Sequence, residues 1–413
     1  MSVNKNRNFD LKYINILGFK SLVHVHVAVA DQMSLLIGPN GSGKTSILQA
    51  VDFVYYFVRG EPDQFFDHRR WEVNEIRTSG KSRTLRAAFV FRDSITDYEI
   101  FWGFSWNTVD RETIGEEVII LDQESGHLLG ENAKRILSYQ RKSRSITIHG
   151  RDGIKGVRIA GSALAVADVD ENRSVEERIL NDLRIWANGL LSLELLDPKA
   201  MRYGTRGSRT HIGRRGEHVA SFLASLDEKR YQRVMERLRR FYPATQGLRI
   251  IRKRAGWIDL KLDEKYSEVP DMTLQHVSDG FLRILSLACI PEFDADVSLV
   301  LLDEIEDGLD PHIISSVVDE LRSKNSGPQI IATSHSPIVI NYFSSDEVNL
   351  VAKDENGFTI TAFMAAIDQI TEYLDFEGPG EIWMNTVPEK LQEWVREHQD
   401  EALQQKVKEF LER

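Results

Sequence analysis

The sequence predicts an α/β protein that has an N-terminal antiparallel β-subdomain and a mainly helical lobe. Across residues 13–37, apolar and polar side chains first alternate and then give way to a continuous apolar run, the pattern of a hairpin followed by a buried strand. A glycine-rich turn comes next and opens an amphipathic helix over residues 45–58. A second apolar strand, residues 298–302, runs directly into two carboxylates. Together these three observations indicate an α/β core.

The other elements are predicted from periodicity and capping residues. Residues 85–106 are rich in β-branched and aromatic side chains and predict two strands, and residues 111–161 add short β-like runs between turns. The capping-box pattern Ser174-Val175-Glu176-Glu177 opens a helix that is expected to continue toward Leu196. Later elements are helices over residues 217–241, 281–290 and 311–322 and a strand over residues 329–332.

Four segments are expected along the chain. Residues 1–110 form the first part of the core, with the antiparallel β-subdomain, and residues 271–365 form its second part. Between them, residues 111–270 make a mixed, mainly helical insert lobe with a basic segment. Residues 366–413 form an acidic helical tail, which Gly378-Pro379-Gly380 interrupts.

Composition excludes several classes of protein. The 413 residues are 42% hydrophobic and carry a net charge of −11, so no general attraction to nucleic acid or anionic lipid is expected. Cys289 is the one cysteine, which excludes an internal disulfide and a cysteine-rich zinc site. The opening residues lack the apolar core of a secretory signal, and no run of 18 apolar residues occurs. We therefore expect a cytoplasmic protein without a membrane span.

The turn after the first buried strand matches the phosphate-binding pattern G-x-x-x-x-G-K-[ST] in full. Its glycines let backbone N–H groups surround phosphate oxygens, and the following helix start adds its positive dipole end. Lys44 is expected to reach the β- and γ-phosphates and Thr45 to bind Mg²⁺. A chance glycine-rich turn is the alternative, which the flanking strand and helix disfavour. The predicted nucleotide-binding residues here are Gly38, Pro39, Asn40, Gly41, Ser42, Gly43, Lys44, Thr45 and Ser46.

Asp303 and Glu304 follow the second apolar strand. In this position Asp303 is expected to bind Mg²⁺ and Glu304 to polarise the attacking water. The alternative is an ordinary strand that runs into an acidic loop. His335 ends the next strand, where the γ-phosphate is expected, and a surface histidine is the alternative there.

Ser278, Asp279 and Gly280 open a helix, so their hydroxyl, backbone N–H groups and helix dipole make a second anion site. Taken alone, these residues are a common turn with an N-cap. A chain that already has one phosphate loop needs a reason for a second site, and the reason we infer is that it faces the loop of another copy.

The order of these motifs resembles the ABC-ATPase superfamily, and within it the branch of SMC, RecF and OLD proteins. The resemblance rests on the opening Ile14-Asn15-Ile16-Leu17-Gly18-Phe19-Lys20-Ser21-Leu22, on residues 303–312 and on residues 332–337. It implies a P-loop NTPase fold of the ABC-head type and an ATPase that uses ATP and Mg²⁺, with slow or partner-stimulated turnover. Catalysis would use Glu304, His335 and Lys44. Ser278 and Gly280 of one copy, with Asp307 of the D-loop, would close on ATP held by Lys44 of the other, in a homodimer or a higher even oligomer.

The chain also departs from these relatives. It has no long coiled coil, only about 75 residues follow His335, and Asp279 stands where many relatives have glycine. A Q-loop glutamine is not assigned; Gln64 and Gln140 are the candidates.

From Arg202 to Arg254 the chain has fifteen Lys and Arg against four Asp and Glu. This basic segment is a candidate nucleic-acid surface. The alternatives are pairing with the acidic tail or a partner copy, or a solvated helix face.

The function expected from the resemblance is that of an ATP-dependent dimerising switch for a separate effector or for nucleic acid, in prokaryotic anti-phage defence or DNA repair. The alternative is an ATP-binding scaffold with negligible hydrolysis. A transporter motor domain is disfavoured by the opening strand and the long insert.

Overall fold

The computed structural model describes residues 8–78, 82–121, 133–149, 153–194, 196–266, 268, 272–322, 327–368, 370 and 378–399. Of the predicted acidic tail, residues 366–413, the structure describes residues 366–368, 370 and 378–399. Within the described part of the tail, the helices are Pro379–Asn385 and Pro388–Glu397, and the first begins at Pro379, inside the predicted Gly378-Pro379-Gly380 break.

The N-terminal sheet is antiparallel and has seven strands in the order β2-β1-β4-β5-β6-β7-β8. The predicted hairpin of β1 and β2 is confirmed, and so are the two strands expected over residues 85–106. The boundary expected at residue 110 falls inside this sheet, because β6 pairs with β5 along its length. The strands are β1 Phe9–Leu17, β2 Val25–Ala28, β4 Thr84–Asp93, β5 Glu99–Asn107, β6 Glu112–Ile120, β7 Lys134–Gln140 and β8 Ser145–Ile148.

The central sheet has six strands in the order β17-β16-β3-β15-β14-β9, and all neighbours are parallel except β17. Parallel strands end at one edge of a sheet, where α/β proteins bind ligands. The turns after β3, β14 and β15 therefore share that edge. The strands are β3 Met33–Ile37, β9 Leu190–Ser192, β14 Leu299–Leu302, β15 Gln329–Ser334, β16 Val348–Lys353 and β17 Thr359–Phe363.

The helix predicted to run toward Leu196 ends earlier, so this part of the prediction is wrong. Ser174 caps it, but the helix stops at Asn188, and the next residues form β9. The cause is a close approach at Gly189, where a Cβ atom would lie 2.3 Å from the carbonyl oxygen of Asp296. The chain leaves the helix there and pairs with β14.

The insert lobe combines helices with a four-stranded antiparallel sheet that the sequence analysis did not predict. In this sheet β12 pairs with β10, β11 and β13. The helical stretch expected over residues 217–241 is two helices, because Asp227 adopts an extended conformation and its side chain caps the second helix. The strands are β10 Thr205–Arg206, β11 Thr245–Arg252, β12 Trp257–Glu264 and β13 Met272–Thr273.

Helices cover both faces of the central sheet, so each face has its own core. Leu36 and Ile331 point toward the antiparallel sheet, and Leu35 and Ile330 point toward the insert lobe and the tail helices. No helix in the described ranges has both the length and the apolar character needed to cross a membrane. The remaining helices are α1 Lys44–Val58, α2 Asp63–Arg69, α3 Ala163–Val166, α4 Val175–Asn188, α5 Pro198–Met201, α6 Val219–Ser225, α7 Glu228–Phe241, α8 Asp279–Cys289, α9 Ile314–Arg322 and α10 Pro337–Ile340.

Candidate nucleotide site

The glycine-rich turn lies between β3 and α1, and β17 packs against it through Thr359. Gly41 and Gly43 have φ values of +77° and +113°, which L side chains rarely adopt. Thr359 of β17 fills the space beside Gly43, where a Cβ atom would lie 2.1 Å from its Oγ1. The same Oγ1 donates to the carbonyl oxygen of Ser42 at 2.8 Å. The Ser42 N–H donates to the Pro39 carbonyl oxygen at 3.2 Å, and the other backbone N–H groups of the turn are placed to surround an anion.

Lys44 begins α1 and folds back over the loop. Its Nζ donates to the carbonyl oxygens of Gly38 at 2.8 Å and Pro39 at 3.1 Å. Burial lowers the pKa of Lys44, and the nearby Asp303 carboxylate opposes that shift. The Oγ atom of Ser42 is buried and has no hydrogen-bond partner within the described part of the chain. A buried ammonium and an unsatisfied hydroxyl in one loop are what a bound phosphate would satisfy.

Thr45 and Asp303 meet at the common edge of the central sheet. Thr45 Oγ1 donates to the Asp303 carboxylate at 2.9 Å and 3.2 Å. Thr333, at the end of β15, donates to Asp303 Oδ1 at 2.6 Å. A hydroxyl and a carboxylate at this spacing are hard oxygen ligands of the kind that Mg²⁺ prefers, so these residues fit the predicted metal.

Glu304 is exposed at the end of β14 and has a left-handed backbone, with φ at +47°. Such a conformation costs of order 1–3 kcal/mol in a residue with a side chain, so the surroundings must stabilise it. Its N–H donates to Thr333 Oγ1 at 2.8 Å. Its carbonyl oxygen accepts from Arg283 Nη2 at 2.6 Å. The carboxylate is therefore presented on a backbone that neighbouring side chains fix at both ends.

Glu306, which the sequence analysis did not single out, connects this strand end to His335. Its Oε1 accepts from Ser334 Oγ at 2.8 Å and from the His335 N–H at 3.0 Å. The His335 imidazole Nδ1 lies 3.4 Å from the same oxygen. The sequence did not indicate this role for Glu306, because its hydrogen-bond partners, Ser334 and His335, lie at the end of another strand.

The segment Ser278-Asp279-Gly280 lies at the start of α8. Ser278 caps the helix and is exposed, as is Asp279. Among the described residues, no hydrogen bond or ion pair joins these three residues to the glycine-rich turn of the same chain. Gly280 instead packs on the turn after β14, where a Cβ atom would lie 2.9 Å from the Gly308 carbonyl oxygen.

Arg202 holds this segment in place from the insert lobe. Its Nη1 donates to the carbonyl oxygens of Leu274, Gln275 and Val277 at 2.9, 3.1 and 2.7 Å, and its Nη2 donates to Asp279 at 2.5 Å. The aspartate that replaces the glycine of many relatives therefore has a partner.

The two Q-loop candidates lie elsewhere. Gln64 belongs to α2 and Gln140 ends β7, and both side chains are exposed. Gln49 lies one turn after Thr45 on α1, and its Nε2 donates to Glu194 at 2.5 Å. Asp307 is exposed in the turn after β14.

A buried ionic cluster connects α1 to the insert lobe. Asp52 of α1 is fully buried and pairs with Arg69 of α2 and with Arg214 of the insert. Arg69 also pairs with Glu194 after β9, at 2.9 Å. Lys20 donates to Gln49 at 2.6 Å, and burial lowers the pKa of Lys20 to about 8. These charges fix the helix that follows the glycine-rich turn against three other segments.

The basic segment is largely neutralised by internal ion pairs with acids of neighbouring elements. Glu292 alone accepts from Arg233 and Arg237, and Glu320 accepts from Arg237 and Arg240. Among the described residues, these arginines therefore pair with acids of the insert lobe and of neighbouring helices; pairing with a second copy stays untested. The segment residues that pair with carboxylates are Arg202, Arg214, Arg215, Arg230, Arg233, Arg237, Arg240, Arg249 and Lys253.

Part of the basic segment remains available at the surface. Arg206 stacks on Trp257, with its guanidinium carbon 4.5 Å from the ring centroid, and Trp257 is 41% exposed. Arg209 and Arg254 are exposed and make no ion pair with another described residue.

Comparisons with known proteins match both halves of this core. A family model described as an AAA ATPase domain matches residues 10–178, and a model described as an AAA domain, putative AbiEii toxin, Type IV TA system matches residues 190–341. The fold is similar to the SMC head bound to the C-winged helix domain of ScpA, with a TM-score of 0.54 and 14% identity over 86% of this chain and 97% of that chain. It is also similar to an SMC head domain with an extended coiled coil bound to the C-terminal domain of ScpA, derived from Pyrococcus furiosus, with a TM-score of 0.52 and 12% identity over 89% of this chain and 100% of that chain.

Proposed function

Since the chain is an ABC-type P-loop ATPase of the branch that includes SMC, RecF and OLD proteins, we propose that two copies hold ATP between them and separate after hydrolysis. Lys44 of one copy binds the phosphates, and Ser278 and Gly280 of the second copy close over them. The observation that carries the proposal is the exposed start of α8, which makes no polar contact with its own glycine-rich turn among the described residues. A helix N-terminus aimed at solvent is suited to a phosphate brought by another molecule.

In this proposal each hydrolytic residue comes from the copy that binds the phosphates. Lys44 leaves the carbonyl oxygens of the loop and donates to the β- and γ-phosphates. Thr45 and Asp303 would hold Mg²⁺, which when bound would supply positive charge to neutralise the charge that develops on the phosphate oxygens. Glu304 accepts a proton from the attacking water and orients it toward the γ-phosphate. His335, held by Glu306, donates to the γ-phosphate.

We further propose that the ATP-dependent closure is read by a separate effector in the cytoplasm, in anti-phage defence or DNA repair. The family description that names a putative AbiEii toxin supports the defence setting. The two SMC heads are bound to domains of ScpA, which supports a separate protein partner. Arg206, Arg209, Arg254 and Trp257 form the surface at which we propose nucleic acid binds, through phosphate contacts and base stacking.

Subunit complementation tests the shared site. Lys44→Ala removes the phosphate ligand of one half-site and Ser278→Arg blocks the other half-site, so each protein alone is expected to be inactive. In a mixture, half of the randomly formed dimers pair unlike copies and contain one complete site, so up to about a quarter of wild-type ATP turnover should return. A mixture that regains no turnover contradicts the shared site.

The matched control mixes Lys44→Ala with Glu304→Gln. Both substitutions lie in the same half-site, so no dimer of these two proteins contains a complete site and turnover should stay absent. Glu304→Gln alone should also trap the ATP-bound dimer. Equal turnover of wild type and Glu304→Gln would instead support the scaffold without hydrolysis.

A further inference from the structure

The outer face of the N-terminal sheet carries a cavity with a volume of about 380 Å³, a size that falls within the range of small-molecule pockets. Phe104 of β5 stacks on Phe57 of α1, with ring centroids 4.0 Å apart. Alternate residues of a strand point to opposite faces, so Gly103 and Ser105 face away from α1 and toward the cavity. The described residues that line the cavity belong to β4, β5, β6, β7 and the turn after β7, and none of them belongs to the nucleotide site.

The floor of the cavity is made of small residues. Arg86 pairs in register with Ser105, Ser105 with Gly115, and Gly115 with Gln140, so these four positions form one row across the outer face. Gly103 belongs to the next row of the same face, two residues before Ser105 on β5. The middle of the sheet therefore has almost no side-chain volume here, and this gives the cavity its depth.

Neither the backbone conformation nor the packing of the protein requires a glycine at position 115. The φ angle of Gly115 lies outside the left-handed region that favours glycine. A Cβ atom there would lie 3.6 Å from the carbonyl oxygen of Tyr139, which is an ordinary van der Waals distance. A residue with higher β propensity would fit and would strengthen the strand. A glycine inside a strand without such a need indicates that a ligand approaches the backbone at this point.

Positive charge surrounds this floor, although the whole chain carries a net charge of −11. Glu117 is the one carboxylate on the outer face among the described lining residues, and it pairs with Arg135 at 3.2 Å. Glu116 faces the other way, because its Oε1 accepts from Trp102 Nε1 at 2.9 Å on the side of α1. The cationic side chains that line the cavity are Arg86, Arg135, Arg141 and Lys142.

Internal ion pairs do not exhaust these cations. Arg141 pairs with Asp110 at 2.7 Å, but a guanidinium has five N–H donors, so one carboxylate leaves others for a ligand. Lys142 is exposed in the turn after β7. Arginine forks match the oxygen geometry of phosphate, so the chemistry of this rim favours a phosphate group.

We propose that this cavity is a second ligand site, which binds a small organic phosphate of the nucleoside monophosphate class. The phosphate accepts hydrogen bonds from the cationic rim, and the planar base lies on the floor at Gly103 and Gly115, where the missing side chains let a ring contact the backbone. The proposal does not depend on the ATP-bound dimer, because the glycine-rich turn and the start of α8 contribute nothing to this cavity.

Isothermal titration calorimetry of the Lys44→Ala chain with AMP, orthophosphate and adenosine tests the proposal, since this substitution removes the phosphate ligand of the glycine-rich turn. AMP is expected to bind once per chain with a Kd between about 10 µM and 1 mM, as for a ligand of this size. Orthophosphate and adenosine each keep only part of the contacts, so the Kd of each should be at least about tenfold higher.

Two further substitutions in the same chain locate the site. Gly115→Val fills the floor and should raise the Kd for AMP at least about 30-fold, whereas the melting temperature should stay the same or rise. Lys142→Gln removes one cation of the rim and should raise the Kd at least about threefold. If Gly115→Val fails to fold, Gly115→Ala and Lys142→Gln decide by the same measurement.

The matched controls are Gly247→Val and Arg144→Gln. Gly247 of β11 also lies beside a register shift, and a Cβ atom there would lie 3.6 Å from Asp263 Oδ2. Arg144 belongs to the same turn as Lys142 but is not among the residues that line the cavity. Both variants should keep the Kd for AMP within about twofold of the Lys44→Ala chain.

Three results would overturn the proposal. The first is that AMP does not bind, or binds no more tightly than orthophosphate. The second is that the Kd for AMP is unchanged by Gly115→Val and by Lys142→Gln. The third is that a single-stranded oligonucleotide binds in a manner that Gly115→Val abolishes while AMP does not bind, since the cavity would then belong to a nucleic-acid surface.

Discussion

Replacing Arg202 by alanine is expected to weaken the ATP-dependent dimer far more than replacing its ionic partner Asp279. Arg202 makes three hydrogen bonds to backbone carbonyls besides the ion pair. Because Nη1 carries two hydrogens that these three oxygens share, the contacts order the segment before α8 by about 1–3 kcal/mol per copy, at about 0.5–1.5 kcal/mol per hydrogen. The ion pair itself contributes only about 0.2–1 kcal/mol, since the Asp279 side chain is 71% exposed. Asp279→Ala leaves the three carbonyl bonds in place.

The dimer dissociation constant gives the comparison directly. In a Glu304→Gln background with ATP, sedimentation should give a dimer dissociation constant raised by more than about 30-fold by Arg202→Ala and by less than about 30-fold by Asp279→Ala, because each substitution is present in both copies and 1.4 kcal/mol is a factor of ten. Arg215→Ala is the control: its pair with Asp197 is on the surface of the same lobe and should not affect dimerisation. Equal effects of Arg202→Ala and Asp279→Ala would refute the reasoning, since they would mean that the ion pair is what orders the segment.

Two further predictions concern the loop and the antiparallel sheet. Gly43→Ala should reduce ATP affinity more than Gly41→Ala does in equilibrium binding. Both residues have positive φ, but only Gly43 is in close contact with Thr359, whereas nothing lies within 4 Å of a Cβ atom at Gly41. Similar ATP affinities of the two variants would contradict the effect of this close contact. Glu116 is buried, and burial raises its pKa to about 7 from 4.5 although Ser162 and other donors oppose the shift. Its contribution to stability is therefore full below pH 4.5 and is lost as pH rises through about 7. In chemical denaturation, the free energy of unfolding of wild type relative to Glu116→Gln should fall as pH rises over that range, because only the carboxylate ionises; a pH-independent difference would contradict this prediction.

The parts of the site that the sequence predicted are those specified by local patterns. The loop between β3 and α1, and the carboxylates after β14, depend on residues adjacent in the chain, so spacing was sufficient to predict them. Thr333, Glu306 and Arg283 act through partners on other elements, as in the contact of Arg283 with Asp303 twenty residues away. No one-dimensional pattern indicates such contacts.

The same limit applies to the basic segment and to β9. Counting charges between residues 202 and 254 gave a strongly positive segment, yet its partners Glu292 and Glu320 lie 55 and 83 residues from Arg237 in sequence. The three residues of β9 directly follow a well-capped helix, so the sequence alone predicts that the helix continues through them. They form a strand because they pair with the edge of β14, and that edge is present only in the folded sheet.

The order of strands in the central sheet has a consequence for synthesis on the ribosome. β3 lies between β15 and β16, and Met33 pairs with Ile330, about 300 residues later in the chain. At about 5–20 residues per second, the nascent β3 and its loop wait roughly 15–60 s before either neighbour is translated. An apolar strand without its neighbours is prone to aggregate during that interval. Growing cells should therefore depend on chaperones to obtain this protein, and slowing translation should lower the yield of folded chains.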